Sequence, residues 1–452
     1  MHATRFRRAS AAVAVLALAS VTAVGCGDDD SKSDDSKSTS KSSGSETSGS
    51  DDDAKMEKTG SVISSPGVDL RVTLDRLLAE HASLAWLALT KTIAGEPDAQ
   101  ATVTALGANT DELSAAVGSV YGDEAADAFK TQWNAHIGMF VAYATGVAKK
   151  DEAAKAKAKK DLAGYQKSFA KFLNTAAGLD AKAAEGALGM HVTQLTTAVD
   201  QFGAGQYPQS YATARTAYAH MFGTGDALAA AITTQKPDDF GNGTVAKATA
   251  DTRVLLDQQL AEHAFLAAVA TTKSLTGAKD ATAAVGSLNA NTADLTKTIA
   301  SVYGADAGKA FKAQWDAHIG MFVAYTVALA KDDDAGKQAA ADDLAGYTES
   351  FAKFLATATE GDEGAYQEAL EAHVSQLAKA LDAADAGNAE EAWTLSREAY
   401  AHMFMTGDAI VTAIVTQNPD KFPAGEEADP NPADAGTEGG GDSGEMEDSM
   451  EG

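Results

Sequence analysis

The chain holds one cysteine, eight prolines and 36 basic residues against 64 acidic ones among its 452 residues. Each scarcity removes a class of explanation. A lone cysteine cannot close an internal disulfide, so Cys26 has another use. Proline is nearly absent from the periodic stretches, which leaves long helices unbroken. With a net charge of −28 and no stripe of Lys and Arg to offset it, phosphate backbones repel the chain, and nucleic acid is excluded as a partner. Strand signals are weak throughout. Histidine is scarce too, nine in the whole chain, and its placement is the feature to explain.

What is present begins with a leader. Arg5, Arg7 and Arg8 precede an apolar run from Ala9 to Val24, too short for a comfortable membrane span, that ends in AVGC at Cys26. This run resembles a bacterial lipoprotein signal over residues 1–25, which implies cleavage before Cys26 and a lipid on its sulfur. The expected location is the outer face of the cell membrane, with the membrane as partner through that lipid. Residues 26–66 form a Ser/Asp/Lys tether and 423–452 an acidic tail, both too poor in core formers to fold. Residues 27 to 60 carry ten acids and five lysines and residues 423 to 452 ten acids and no base, so these tails supply −15 of the charge (−5 and −10).

Between the tails the chain is a tandem duplication. Two copies, 67–243 and 244–422, are expected, in which residues from about 67 to 240 match those from about 249 to 422 at a fixed offset of 182, with shared runs LAEH, SVYG, HIGMFVAY, SFAKFL and AYAHMF. Abundant alanine and apolar residues recurring at three and four predict an all-α fold of two tandem antiparallel bundles, about six helices each. In the first copy the helices are expected near 68–94, 98–118, 123–149, 152–176, 181–203 and 207–234, and residues 244–252 form the connection.

Apart from His2, every histidine has a partner 182 positions away: His81 and His263, His136 and His318, His191 and His373, His220 and His402. His81 shares one helix face with Leu74, Leu78 and Leu84; His136 shares a stripe with Phe129, Trp133 and Phe140; His191 lies with Leu188 and Leu195. Small residues flank His220, which leaves room beside its ring for a ligand or a close helix. Four inward imidazoles from four helices suit a metal ion or a haem. Met139 and Met321, three residues after His136 and His318, and Met405, three after His402, offer soft donors on the same faces and favour copper. Met221 and Met403 adjoin His220 and His402, Glu80 and Glu262 precede His81 and His263, and Glu398 lies one turn before His402; these are further candidates for the site. The alternative is a structural or protein-interaction envelope protein whose core histidines are hydrogen-bonded.

Catalytic patterns are missing. There is no Glu-x-x-His pairing for a di-iron oxidase and no Gly-x-Ser-x-Gly elbow for a hydrolase. Each copy, through LAEH, NTxxL, SVYG, WxxHIGMFVAY, SFAKFL and AYAHMFxTGDA, resembles a helical domain of secreted or lipid-anchored proteins of Gram-positive bacteria. Some members of that family are labelled copper amine oxidase because they also carry that enzyme's small N-terminal domain. The resemblance implies an extracytoplasmic location and copper; it does not imply amine oxidation, since no Thr-x-x-Asn-Tyr motif, His-x-His pair or large β-rich domain is present here.

Overall fold

A lone helix with one apolar stripe must bury it against others, and twelve such helices here do so in two bundles. The computed structural model describes residues 62–240, 245 and 247–422; the leader, Cys26, the tether and the acidic tail lie outside them. Among the described residues there are helices and no strands. The first bundle comprises α1 (Pro66–Ala94), α2 (Ala99–Tyr121), α3 (Asp123–Lys149), α4 (Glu152–Ala177), α5 (Ala181–Gly203) and α6 (Tyr207–Gln235). A single turn, α7 (Pro237–Phe240), follows. The second bundle repeats the order as α8 (Ala248–Thr276), α9 (Ala281–Tyr303), α10 (Ala305–Ala330), α11 (Asp334–Thr359), α12 (Glu363–Asp385) and α13 (Ala389–Gln417).

Local signals set the ends. The Ser65 hydroxyl accepts from Val68 N at 3.3 Å, Pro66 fills the first turn where no N–H is needed, and Gly95 closes α1 at φ 67°. Asp151 and Asp180 cap α4 and α5, and Asp333 and Asp362 do the same for α11 and α12. Three boundaries differ from the sequence reading. The folded chain begins inside the expected tether, with Ile63 buried in the core and α1 starting at Pro66. The α2 helix runs through Gly118 to Tyr121, because a bare Cα at 118 lets α3 approach: a Cβ there would stand 3.3 Å from that of Ala126. The connection between the copies ends sooner than 252, since α8 begins at Ala248.

The first helix of each bundle is its axis. Sequence spacing gave α1 a single buried face, yet every residue from Leu77 to Lys91 is buried, because α2, α3, α5 and α6 surround it. Leu84, Trp86, Leu87 and their equivalents therefore sit at the centre.

The two bundles meet through polar bonds that recur with the copies exchanged, the mark of a two-fold relation. Arg397 grips Glu80 (Nε–Oε1 2.8 Å, Nη2–Oε2 3.0 Å) and Glu112 (2.8 Å), while Arg215 grips Glu262 (2.9 and 2.7 Å) and Asp294 (3.0 Å). Arg71 reaches Asp251 at 2.5 Å, and Arg253 reaches Asp69 at 2.8 Å. Tyr400 donates to the carbonyl of Arg76 at 3.1 Å, and Tyr218 to that of Gln258 at 3.0 Å.

Candidate metal centre

Three of the four histidines of the first bundle converge. His81 comes from the axial helix α1, His136 from α3 and His191 from α5, all buried. One ring nitrogen of each lies within 4.8 Å of the others. His81 Nε2 and His136 Nε2 are 3.3 Å apart. Aromatic rings hold them in place: Trp133 packs on His81 at 4.6 Å between centroids, and Tyr165 stacks on His136 at 5.0 Å and 13°. The same architecture recurs in the second bundle, with His318 Nε2 3.3 Å from His263 Nε2, Trp315 4.6 Å from His263 and Tyr347 5.0 Å from His318. The His373 ring centroid lies 5.9 Å from that of His263, and neither of its nitrogens has a hydrogen-bond partner. Among the described residues, the compact group of three is found in the first bundle.

The fourth histidine stands apart. His220 is half-buried, and its Nε2 lies 3.0 Å from the carbonyl oxygen of Ala187; His402 repeats this with Ala369 at 2.9 Å. An Nε2–H that donates to a carbonyl has no lone pair left there for a metal. Of the small residues around His220, Gly223 has open space beside it; close helix packing falls to Gly225, five residues on, where a Cβ would run into Asp75 on α1.

The other candidates disperse. The Glu80 carboxylate accepts from Arg397 and from Asn109 Nδ2 at 2.8 Å, and Glu262 accepts from Arg215 and from Asn291 Nδ2 at 2.9 Å, so both are spent on the interface between bundles. Met405 is 67% exposed and Glu398 is also at the surface. Met139 and Met321 are half-buried. Met221 and Met403 are buried in the same cavity walls as His136 with His191 and His318 with His373. The sequence reading missed Asn109 and Asn291, whose signal was the ANT shared by both copies, and Arg215 and Arg397, whose partners lie across the interface.

Burial decides the protonation of the rings. Desolvation pushes His136 down to about 3 and His191 to about 4, and the second bundle's His318 and His373 each to about 3. Desolvation, then repulsion from neighbouring rings, holds His81 and His263 well below 6.5. All six are neutral at pH 7, the state that ligates metals. Their Nδ1 atoms lack hydrogen-bond partners; the carbonyl of Trp133 lies near His136 without reaching bonding geometry to Nδ1.

Compared with family models, with curated proteins and with solved structures, the chain matches none. The likeness carried by LAEH, SVYG and HIGMFVAY therefore rests on those motifs, and the chemistry on the geometry above.

Two nitrogens bound to one tetrahedral ion by bonds of about 2.0–2.1 Å stand roughly 3.3–3.4 Å apart. The 3.3 Å between His81 and His136 has that value. His191, within 4.8 Å, needs a shift of at most about 1.5 Å to complete a first shell.

Proposed function

We propose that this chain is a protein lipid-anchored to the outer face of the cell membrane that binds a metal ion, copper in preference, in its helical bundles. The observation that carries the metal reading is the convergence of three neutral, buried imidazoles from three helices in the first bundle. Three lone pairs facing one another without a cation repel, and at most one Nε2–H can lie between His81 and His136. A shared cation satisfies all three.

Charge favours copper(I). No carboxylate joins the group, and the penalty for burying an uncompensated ion grows with the square of its charge, so a monovalent ion loses far less than zinc(II) among Trp133, Tyr165 and Phe140. Met221, in the same wall, offers a soft donor. A porphyrin has little support, since the cavities beside the histidines measure about 100 and 40 Å³, whereas pockets for such ligands run to roughly 300–1,000 Å³. The lipid anchor rests on the Arg-led apolar run ending at Cys26.

A second reading, histidines as packing residues, is favoured by the Nδ1 atoms: metal-bound imidazoles usually donate their second N–H to an acceptor, and here the Nδ1 atoms make no such bond, although backbone lies near those of His136 and His318. Dialysis of the purified chain against Cu(I) and Zn(II), followed by elemental analysis, separates the two. Retention of Cu(I) is expected, at one ion in the first bundle and up to two per chain if the second bundle binds as well; no retained metal supports the packing reading. Mass analysis of the membrane-extracted chain tests the anchor: a diacylglycerol on Cys26 is expected, and a cytosolic chain retaining residues 1–25 overturns it.

A further inference from the structure

The two bundles share their fold but not their interiors. In the first, a largely enclosed cavity of about 100 Å³ lies between the histidine layer and the end of the bundle, and its walls are almost wholly apolar. Phe129, Trp133, Tyr165 and Phe169 line it, and the rings of His136 and His191 stand in the same wall. At its far end are Tyr121, Ala125 and Ala176, which are only half-buried, so the space approaches the surface there. The corresponding space in the second bundle measures about 20 Å³.

Among the positions that line the first cavity, Val117, Ala177 and Leu228 become Ile299, Thr359 and Ile410 in the second copy, and a neighbouring position changes with them. At the start of α5 the first bundle has Ala184, buried; 182 residues on, α12 has Tyr366, also buried. The Tyr366 hydroxyl lies 2.9 Å from Thr359 Oγ1. Position 177, the equivalent of 359, is alanine and lines the first cavity. The second bundle thus has, at the wall position of Ala177, a threonine held by a tyrosine hydroxyl, where the first has two methyl groups. Close packing is the rule in protein interiors, so a larger apolar void in one of two copies of a fold is space that an occupant can fill.

We infer that the first bundle is a binding site for a small uncharged apolar molecule, smaller than a benzene ring, that sits against His136 and His191. Dimension and chemistry set the class. An apolar cavity of about 150 Å³ elsewhere stays dry and takes benzene or xenon; at about 100 Å³ this one is restricted to xenon, diatomic gases and the shortest hydrocarbons. A charged or strongly hydrated molecule would lose its hydration with almost no polar wall to replace it. A molecule held there touches two of the three converging rings, so the cavity provides a neutral route to that centre. The inference stands whether or not the histidines hold a metal.

Xenon is the probe, applied to the metal-free full chain and read by the saturable shift of dissolved xenon-129 and by the proton resonances of the histidine rings. One site per chain is expected, with His136 and His191 perturbed and His373 not. Ala184→Tyr, with Ala177→Thr to receive its hydroxyl, should abolish the site. Tyr366→Ala should create a second one, now perturbing His373. That gain of binding cannot come from misfolding. Absence of a saturable site in the native chain, or a site indifferent to both variants, overturns the inference, and because no metal is present neither result bears on metal retention.

Discussion

His81 and His136, 55 residues apart in sequence, hold their Nε2 atoms 3.3 Å from each other, and His263 and His318 do the same at the same distance. This spacing is shorter than two acceptors without a proton or cation between them would choose. A shared proton or a cation satisfies it, and under the proposed metal reading the geometry ranks the ligands.

His136→Ala removes a nitrogen from the convergent group and should reduce Cu(I) affinity of the first bundle by at least tenfold. His220→Ala should leave it within about threefold, because His220 Nε2 is engaged with the Ala187 carbonyl. Competition titrations of the two variants against a chromophoric Cu(I) chelator measure both. Equal losses would place His220 among the ligands.

Acid should unfold the metal-free chain earlier than carboxylate titration alone requires. A histidine whose folded pKa is depressed binds its proton only after unfolding, so its contribution to stability is full above the unfolded value near 6.5 and is lost as pH falls toward about 3 to 4. Asp75 and Asp257 act oppositely. Burial, then the charges of Asp226 and Asp408 respectively, raises them well above 3.8, so the folded state holds their protons and loses stability as pH rises from 3.8 through the folded pKa. Six buried histidines outnumber two aspartates. Stability should therefore fall between pH 6.5 and 4, by up to about 1.4 kcal/mol per pH unit for each net proton taken up. Urea midpoints at pH 7.5, 6 and 5 check this; a flat or opposite trend would mean that the rings are not neutral in the fold.

Gly225 and Gly407 let α6 and α13 lie against α1 and α8. A Cβ at 225 would stand 2.0 Å from Asp75 Oδ1 and 2.9 Å from its backbone nitrogen, whereas at 407 the close contact, 2.0 Å, is with Asp257 Oδ1 and the nearest backbone atom is 3.6 Å away. Gly225→Ala should destabilise by about 1–3 kcal/mol, and Gly407→Ala by less, since a side-chain oxygen turns aside more easily than a helix. Gly223→Ala, with nothing within 4 Å, should stabilise by up to about 1 kcal/mol through helix propensity. Thermal melts of the three variants give the order.

The Arg397 clamp on Glu80 joins the bundles. Glu80 is 2% exposed and Arg397 14% as side chains, and Arg397 keeps Glu112 if Glu80 is removed. Loss of one partner from a buried pair costs about 3–5 kcal/mol, and the retained Glu112 should reduce this to about 1–3 kcal/mol for Glu80→Ala. A double-mutant cycle with Arg397→Ala should give a coupling above about 0.5 kcal/mol. Additive losses would show that the contact does not tie the bundles together.

The sequence by itself determined the helices and their repetition. Periodicity, caps such as Ser65 and Asp151, and near absence of proline are local properties, and an unbroken offset of 182 obliges both copies to fold alike. It also selected the histidines, because spacing of three and four places His81, His136 and His191 on apolar faces. Only the tertiary structure decided which of them meet. A helix face is a wide arc, and whether its residue reaches the common centre or, like His220, a neighbouring carbonyl depends on how two helices are rotated about their axes. The role of Glu80 was hidden for a similar reason: its partner Arg397 is 317 residues away in the other bundle. The cavity of the first bundle was equally illegible, since Ala177 and Thr359 are both acceptable core residues, and only the packed bundle shows that this position stands in the cavity wall.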